Sequence, residues 1–385
     1  MPPTLARNRP RIVMTEEDQR VSVSILQYLG PANSGSCGYC KRGRRKTPGV
    51  SDNEEPSFSL GVIAHFLTCE DFNQMLDIGW NRSGKYLYKP IMDKTCCPQY
   101  TIRLDVNKFR LSRTQKRVLR NVHNYLRFGT LPSRKIQDPS LMDDTKDRTV
   151  HEDLNTSRKG YEGFLMATPL ITPIGDPNVP ALGSYHQQYV LDGKIIAVGV
   201  VDILPRCLSS KYFYYDPDYA FLTMGTYSAL REIAYTQELA KTRPSLHYYY
   251  MGYYLQECPK MRYKGKFHPS DLLCDKTFKW MPLEEAVKKI IANDSKFTVF
   301  YPDEPRPPSP SYHSIRCMFR DRVMMYPKVR EEMVEPRLSE FDTKMGELCH
   351  YMHKVISSVV IFFPSMAAYL VGADDEEEDE ISGDA

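Results

Sequence analysis

Two pairs of cysteines carry the clearest chemistry in the sequence. Cys37 and Cys40 form a C-x-x-C pair on a glycine-rich turn, and Cys96 and Cys97 form a second pair followed by proline. Together the pairs can supply four soft thiolate ligands, which suit either zinc or an iron–sulfur cluster. Buried thiols without a function, or a redox dithiol at Cys37 and Cys40, are compatible with the same spacing. The sequence therefore predicts a metal or cluster site and leaves its occupant open.

Two basic clusters are candidates for binding phosphate groups. One follows the C-x-x-C pair directly, and the other repeats at helical spacing. The residues concerned are Arg44, Arg45 and Lys46 in the first cluster and Arg113, Lys116 and Arg117 in the second. If the fold holds them side by side, they can follow an RNA backbone, and binding should weaken with salt. A solvated helix face beside a surface loop explains the same pattern without a ligand.

Strands and helices alternate irregularly along the chain and must position these residues. Hydrophobic periodicity and turn signals predict strands at residues 21–28, 185–191, 195–204, 212–215 and 245–255, and helices at 69–79, 112–128, 226–240 and 282–292. The strands at 185–191 and 195–204 meet at Asp192-Gly193, a pair suited to a tight hairpin turn. The pattern predicts an α+β fold around a largely antiparallel sheet.

The length of 385 residues favours two domains, at roughly 150 residues per domain. The predicted segments are a disordered N-terminus at 1–20, a first domain with the cysteine site at 21–129, a linker at 130–158, a second domain at 159–335, and a C-terminal helix with an acidic tail at 336–385. The apolar run at 355–371 is broken by polar residues and is shorter than the roughly 20 residues of a membrane span. We therefore expect it to form the packed C-terminal helix.

The formal net charge of +3 conceals an acidic run at 374–384, so the remainder of the chain is more basic. Residues 2–20 are polar and basic and do not resemble a secretory signal. We expect a location in the cytoplasm or the nucleus, no membrane partner, and cysteines that stay reduced unless they bind metal.

Several motifs, in order, resemble arginyl-tRNA:protein arginyltransferases. In the first half these are Gly35-Ser-Cys-Gly-Tyr-Cys, Gly79-Trp-Asn-Arg-Ser-Gly-Lys-Tyr-Leu-Tyr-Lys-Pro and Thr95-Cys-Cys-Pro-Gln-Tyr-Thr-Ile-Arg. In the second half they are Asp202-Ile-Leu-Pro, Tyr214-Tyr-Asp-Pro-Asp-Tyr, Gly225-Thr-Tyr-Ser-Ala-Leu-Arg-Glu-Ile-Ala, Tyr249-Tyr-Met-Gly-Tyr-Tyr and Cys258-Pro-Lys-Met-Arg-Tyr-Lys-Gly. Asn81 stands where the family usually has arginine.

The resemblance implies a duplicated fold similar to the GNAT acyltransferases, with Cys37, Cys40, Cys96 and Cys97 as ligands of zinc or an iron–sulfur cluster. It also implies transfer of arginine from arginyl-tRNA to protein N-termini that bear Asp, Glu or oxidised Cys, which marks those proteins for ubiquitin-dependent degradation. Because aminoacyl-tRNA is an activated ester, the transfer needs positioning, proton removal and oxyanion stabilisation but no cofactor.

An acidic acceptor needs a cationic partner, and Lys260, Arg262 and Lys264 are the candidates. If the segment is extended, all three line one face. A basic edge strand that resists aggregation explains the same residues without a ligand.

The remaining site candidates are assigned by position. Asp202 closes a strand and can orient the amine, accept its proton or cap a turn. His186 and Gln188 share one face of the hairpin, as a candidate base and a candidate substrate contact, although a lone strand histidine is usually structural. Tyr227 opens a helix whose N-terminus can hold phosphate or an oxyanion. The tyrosines at 248–254 can stack on unpaired bases or simply fill the core.

Two other functions remain open. A coenzyme-A acetyltransferase would need a phosphate loop, which Gln27-Tyr-Leu-Gly-Pro-Ala matches formally, but Pro31 removes one amide donor. A non-catalytic tRNA-binding or redox-sensing protein would bind tRNA without transferring arginine. The sequence leaves the oligomeric state open.

Overall fold

A computed structural model of the chain describes residues 23–33, 37, 39, 57–129, 166–172, 180–320 and 322–364. Several predictions lie outside those residues: the N-terminus at 1–20, the linker at 130–158, the acidic tail, Cys40, Arg44, Arg45 and Lys46.

Fifteen strands form in the described residues. In chain order they are β1 (Ser24–Asn33), β2 (Phe58–Thr68), β3 (Asn81–Ser83), β4 (Tyr86–Pro90), β5 (Tyr100–Asp105), β6 (Leu170–Ile171), β7 (Gly183–Leu191), β8 (Lys194–Ile203), β9 (Cys207–Tyr215), β10 (Tyr248–Tyr254), β11 (Ser270–Leu273), β12 (Trp280–Pro282), β13 (Arg316–Phe319), β14 (Arg322–Met325) and β15 (Val359–Phe362). The α-helices of the same residues are α1 (Cys69–Leu76), α2 (Arg113–Phe128), α3 (Met224–Thr242), α4 (Pro259–Arg262), α5 (Leu283–Ala292), α6 (Tyr326–Glu331) and α7 (Arg337–Met352).

The strands form two mixed sheets. The first has the order β14-β13-β15-β1-β2-β4-β3, with β6 paired to β2, and the second has the order β12-β11-β5-β10-β9-β8-β7. Most neighbours are antiparallel, but β1 and β13 pair with β15 in parallel, and β9 pairs with β10 in parallel. The mixed α and β composition matches the prediction, and the second sheet is largely antiparallel, with β9–β10 as its parallel pair.

Both sheets draw strands from both predicted domains. Strand β5, from the predicted first domain, lies between β10 and β11 of the second sheet, and β15, near the C-terminus, lies beside β1 of the first. One hydrophobic cluster runs continuously through both sheets, from Leu26 to Leu272 and Ile361. The boundary expected near Gly129 therefore does not separate the two sheets.

Local sequence signals account for α2 and for the central hairpin. Ser112 accepts a hydrogen bond from the backbone nitrogen of Gln115, whose side chain accepts one from the Ser112 nitrogen, so a reciprocal cap starts α2. Asp192 and Gly193 have φ angles of +48° and +79°, which close the turn between β7 and β8. The predictions of this helix and this hairpin are confirmed.

In the part of the C-terminal apolar run that the structure describes up to residue 363, a turn and a strand replace the helix that the sequence suggested. Residues 353–357 form a 3₁₀ turn, and β15 follows, buried between β1 and β13. Its apolar residues are covered on both faces of the sheet. The hydrophobic pattern of such a strand cannot be distinguished from that of a buried helix. Among the described helices, none is long and apolar enough to span a membrane.

Candidate active site

The parallel strands β9 and β10, which α3 connects, pair along only part of their length, and we call the unpaired region beyond the last pair the gap. The strands pair at three positions beginning at Cys207. Beyond these, Lys211 is an extra residue of β9 relative to β8, and Met251 and Gly252 of β10 oppose a single residue of β5. Bulges of this kind bend a strand and redirect side chains. Here they direct Lys211 and Gly252 towards a cluster of polar side chains.

Asp202 and Arg82 form the centre of that cluster. Arg82, on β3, donates from Nε to Asp202 Oδ2 at 2.8 Å and from Nη2 to Oδ1 at 2.5 Å, and Ser184 Oγ donates to Oδ1 at 2.7 Å. Both charged side chains are buried. Burial alone would raise the pKa of Asp202, but Arg82 and Lys211 outweigh it and hold the pKa below its usual range. Asp202 is therefore an ionised, fully engaged carboxylate that balances charge, and it is poorly placed to accept a proton.

Lys211 lies against the same carboxylate. Its Nζ is 3.8 Å from Asp202 Oδ2, donates to Asn81 Oδ1 at 2.8 Å, and lies 4.5 Å from the centre of the Phe72 ring. Burial lowers the pKa of Lys211 to about 7, although Asp202 opposes the shift. Near neutral pH this amine can both accept and release a proton. The sequence reasoning missed it because the bulge that aims it depends on the register of three strands.

The segment with Lys260, Arg262 and Lys264 is helical, so the extended conformation that would align all three side chains is not formed. Pro259 opens α4, and residues 263–266 continue as a 3₁₀ turn. Lys260 and Arg262 are exposed, and Arg262 donates weakly to the Gln256 oxygen at 3.4 Å. The three cations therefore do not share one face.

Lys264 alone turns towards β10. Its Nζ donates to the Tyr253 oxygen at 2.8 Å and contacts Met261 Sδ at 3.5 Å. Burial lowers the pKa of Lys264 to about 8, and Cys258 opposes the shift. Among the described residues, no carboxylate forms an ion pair with it. An ammonium group without an anionic partner is a candidate anion-binding group.

The register of the hairpin places His186 and Gln188 on the face that carries Ser184 and Asp202. Ser184 lies opposite Asp202, His186 opposite Val200, and Gln188 opposite Val198. The predicted common face is therefore present, two and four residues along β7 from Ser184.

Tyr227 lies on the other face of this sheet. Its ring is 6.1 Å from that of Tyr189, which packs under α3 and donates to Ser228 Oγ at 3.3 Å. The structure thus does not bring Tyr227 to Asp202. Tyr249, Tyr250 and Tyr253 are buried, so these three pack in the core and are not available to stack on bases.

Three of the four predicted metal ligands converge. The Sγ atoms of Cys37, Cys96 and Cys97 lie within 4.8 Å of one another, and all three residues are half-buried. Cys40 lies outside the described residues. None of the nine described cysteines forms a disulfide. The thiolate set fits a soft metal or a cluster, and it does not distinguish zinc from iron.

The cysteine site is packed against the gap. Cys97 contacts the small apolar cluster formed by Tyr253, Leu255 and Cys258, which joins β10 to α4. A metal bound at the cysteines would therefore stiffen the segment that carries Lys264.

Helix α2 presents a basic surface to solvent. Val118 and Val122 face the core, whereas Arg113, Lys116 and Arg117 are exposed. This half of the predicted phosphate-binding surface is available to a ligand.

Two family models match the chain. The model "Arginine-tRNA-protein transferase, N terminus" matches residues 35–117, and "Arginine-tRNA-protein transferase, C terminus" matches residues 144–274. Arginyl-tRNA–protein transferase 1 of Drosophila melanogaster is 30% identical over 70% of this chain and 84% of that protein. The Dictyostelium discoideum protein of the same name is 54% identical over 32% of this chain and 20% of that protein. An aspartate/glutamate leucyltransferase of Campylobacter jejuni is 29% identical over 52% of this chain and 79% of that protein.

These matches define the chain as an aminoacyltransferase. More narrowly, it belongs to the arginine-tRNA-protein transferase family, as the sequence motifs indicated. The gap, the buried cluster and the cysteine site all lie within the matched segments, whereas β12 to β15 follow residue 274.

Proposed function

We propose that the chain transfers arginine from arginyl-tRNA to the α-amine of protein N-termini that begin with Asp, Glu or oxidised Cys, which marks them for ubiquitin-dependent degradation. The observation that carries the acidic preference is an imbalance of charge. Arg82, Lys211 and Lys264 surround the gap, and Asp202 is their one paired carboxylate among the described residues. A buried cation is expensive without an anion, so the site favours an acceptor that brings a carboxylate.

The relatives support the two substrates separately. The name of the Drosophila protein specifies arginyl-tRNA, and the name of the Campylobacter protein specifies aspartate and glutamate. Joining these two specificities in one chain accounts for both the basic surface of α2 and the cationic gap.

Lys264 would bind the acidic side chain of the acceptor, and Lys211 would transfer the proton from the attacking amine to the leaving group. The acceptor nitrogen attacks the ester carbonyl carbon, a C–N bond forms, and the bond to the ribose oxygen breaks. Neutral Lys211 takes the proton that the nitrogen loses and passes one to the departing ribose oxygen, so the lysine ends as it began. Asp202 keeps Lys211 in place, and the transfer needs no cofactor.

The GNAT-like duplication remains part of the proposal. Seven strands follow one another in a linear order in each mixed sheet, with β6 off this path in the first. The β9–α3–β10 crossover places two separating parallel strands beside the cluster. A cleft between separating strands gives an acyl group access to the centre of a sheet.

The tRNA would lie on α2, with the cysteines holding zinc or an iron–sulfur cluster as a structural group. Thiolates of Cys37, Cys96 and Cys97, completed by Cys40, are the donors for either occupant. The cytoplasmic or nuclear location expected from the sequence belongs to the same proposal.

The structure does not support the phosphate-loop motif on which the acetyltransferase alternative depends. Gln27 and the residues after it lie within β1 and pair with β2, so their amides do not form a loop around a pyrophosphate. A tRNA-binding protein without transferase activity remains the competing function.

Transfer of labelled arginine from arginyl-tRNA to matched peptides beginning with Asp, Glu or Ala tests the proposal. We expect labelling of the Asp and Glu peptides and little labelling of the Ala peptide. Retained tRNA binding with no labelling of any peptide by metal-loaded protein would favour the non-catalytic alternative.

A further inference from the structure

Gly252, at the bulge of β10, leaves one side-chain position unfilled, which we call the space above Gly252. Gly252 has a φ of +68°, and a Cβ built on it would lie 3.4 Å from Asn81 Nδ2 and 3.9 Å from Lys264 Nζ. The two nearest groups are thus both nitrogen donors. A left-handed backbone favours glycine, and the absence of a side chain keeps the space free.

The orientation of the Asn81 amide is fixed by its neighbours. Its Oδ1 accepts from Lys211 Nζ at 2.8 Å and from the Arg82 backbone nitrogen at 2.9 Å. A backbone nitrogen donates only, so the amide oxygen must face the Arg82 nitrogen, and Nδ2 must face the space. Asn81 is 8% exposed, and within the described part of the chain its Nδ2 has no acceptor. This donor is therefore available to an acceptor from a ligand.

Lys264 borders the same space and is a second donor that a ligand can satisfy. One of its protons is used by the Tyr253 oxygen, and a sulfur is its other neighbour. The space above Gly252 is therefore bordered by one neutral donor and one cationic donor. Two donors with a net positive charge match the two oxygens of a carboxylate.

We propose that the space above Gly252 is the pocket for the side-chain carboxylate of the acceptor's N-terminal residue, with Asn81 Nδ2 and Lys264 Nζ as its donors. This inference rests on the proposed arginine transfer and assigns its specificity to particular atoms. Asn81 donates a hydrogen bond to the acidic side chain, and Gly252 has no side chain that would exclude it. The asparagine is short enough to leave that room while it still accepts from Lys211.

Binding of the dipeptides Asp-Ala, Glu-Ala and Ala-Ala to the full chain, measured by calorimetry without tRNA, tests the pocket. The variants are Gly252→Ala, which fills the space, and Asn81→Ala, which removes the amide donor. Gly193→Ala is the matched control, because Gly193 also has a positive φ, +79°, but nothing within 4 Å of its Cβ position. Thermal melting confirms that each variant is folded. If Gly252→Ala does not fold, Asn81→Ala still tests the pocket.

We expect wild type and Gly193→Ala to prefer the acidic dipeptides over Ala-Ala. Asn81→Ala should bind Asp-Ala and Glu-Ala roughly 3- to 10-fold more weakly, the effect of losing one hydrogen bond. Gly252→Ala should weaken them by about 10-fold or more, and binding of Ala-Ala should not change. Acidic dipeptides bound equally well by folded Gly252→Ala and Asn81→Ala would overturn the pocket.

The outcomes separate the pocket from the reaction. If acidic peptides receive arginine equally from wild type and both variants, the reaction stands and the pocket is wrong. If wild type transfers no arginine but the dipeptide preference disappears in the variants, the pocket stands and the reaction is wrong.

Discussion

Trp80 Nε1 donates a hydrogen bond to the backbone oxygen of Tyr351 at 3.0 Å. Trp80 is fully buried. Arg82, two residues later, forms an ion pair with Asp202. Tyr351 lies in α7, beyond both segments that the family models match. The C-terminal part of the chain therefore supports the strand that carries the buried cluster, in addition to supplying β13, β14 and β15 to the first sheet.

Replacing Arg82 with methionine should destabilise the fold strongly. Asp202 would stay buried without its bidentate partner, and breaking a buried pair in this way costs about 3–5 kcal/mol. Guanidinium unfolding measures the change. Arg206→Met is the control, because Arg206 pairs with Asp77 at the surface and should cost about 1 kcal/mol or less. Equal losses in the two variants would contradict the proposed role of the Arg82–Asp202 pair.

Lys211 should give stability a characteristic pH dependence. Its pKa is about 7 in the folded protein against 10.5 for an ordinary lysine, so between these values the unfolded chain binds more protons. The contribution of Lys211 therefore makes the free energy of unfolding rise with pH in this window, by at most about 1.4 kcal/mol per pH unit.

Unfolding of wild type and Lys211→Met at pH 7, 8 and 9 measures that contribution. We expect the rise to be smaller in Lys211→Met and unchanged in Lys241→Met, whose side chain is exposed on α3. Parallel profiles for wild type and Lys211→Met would show that the lysine stays charged.

Cys97→Ser should lower the metal or cluster content of the purified protein. A serine hydroxyl is a poor replacement for a thiolate towards zinc or iron. Elemental analysis and the visible spectrum identify the occupant, and Cys349→Ser, in the core near the C-terminus, serves as the control. Equal metal content in wild type and Cys97→Ser would remove Cys97 from the ligand set.

Changing Arg113, Lys116 and Arg117 together to glutamine should weaken tRNA binding and flatten its salt dependence. Each lost phosphate contact lowers the slope of log K against log salt by about 0.7–0.9. Lys288→Gln with Lys289→Gln, which removes two exposed cations from α5, is the control for loss of charge elsewhere on the surface. An unchanged slope in the α2 variant would place the tRNA elsewhere.

Sequence patterns anticipated elements whose causes are local. Helix α2 has its cap at Ser112, and the hairpin turn has Asp192 and Gly193, so a few neighbouring residues determine each. Pro259 was a local signal for α4 that the assumption of an extended segment overlooked. The strand β15 could not be predicted in this way, because its partners β1 and β13 are far away in sequence.

The candidate site was anticipated in part. The convergence of the cysteines followed from motifs, and three of the four meet. The partners of Asp202 could not be predicted from motifs, because Arg82, Ser184 and Lys211 come from three different strands. Only the register of those strands brings the side chains together.

The central claim is that half-buried Lys264, and not exposed Arg262, selects acidic acceptors. The measurement is kcat/KM for arginine transfer from arginyl-tRNA to Asp- and Glu-initiated peptides by wild type, Lys264→Met and Arg262→Met. We expect Lys264→Met to lose roughly 10- to 100-fold, the effect of one charge-assisted hydrogen bond, while Arg262→Met and wild type agree and all three bind tRNA equally. A loss confined to Arg262→Met, or full activity in Lys264→Met, would contradict the account.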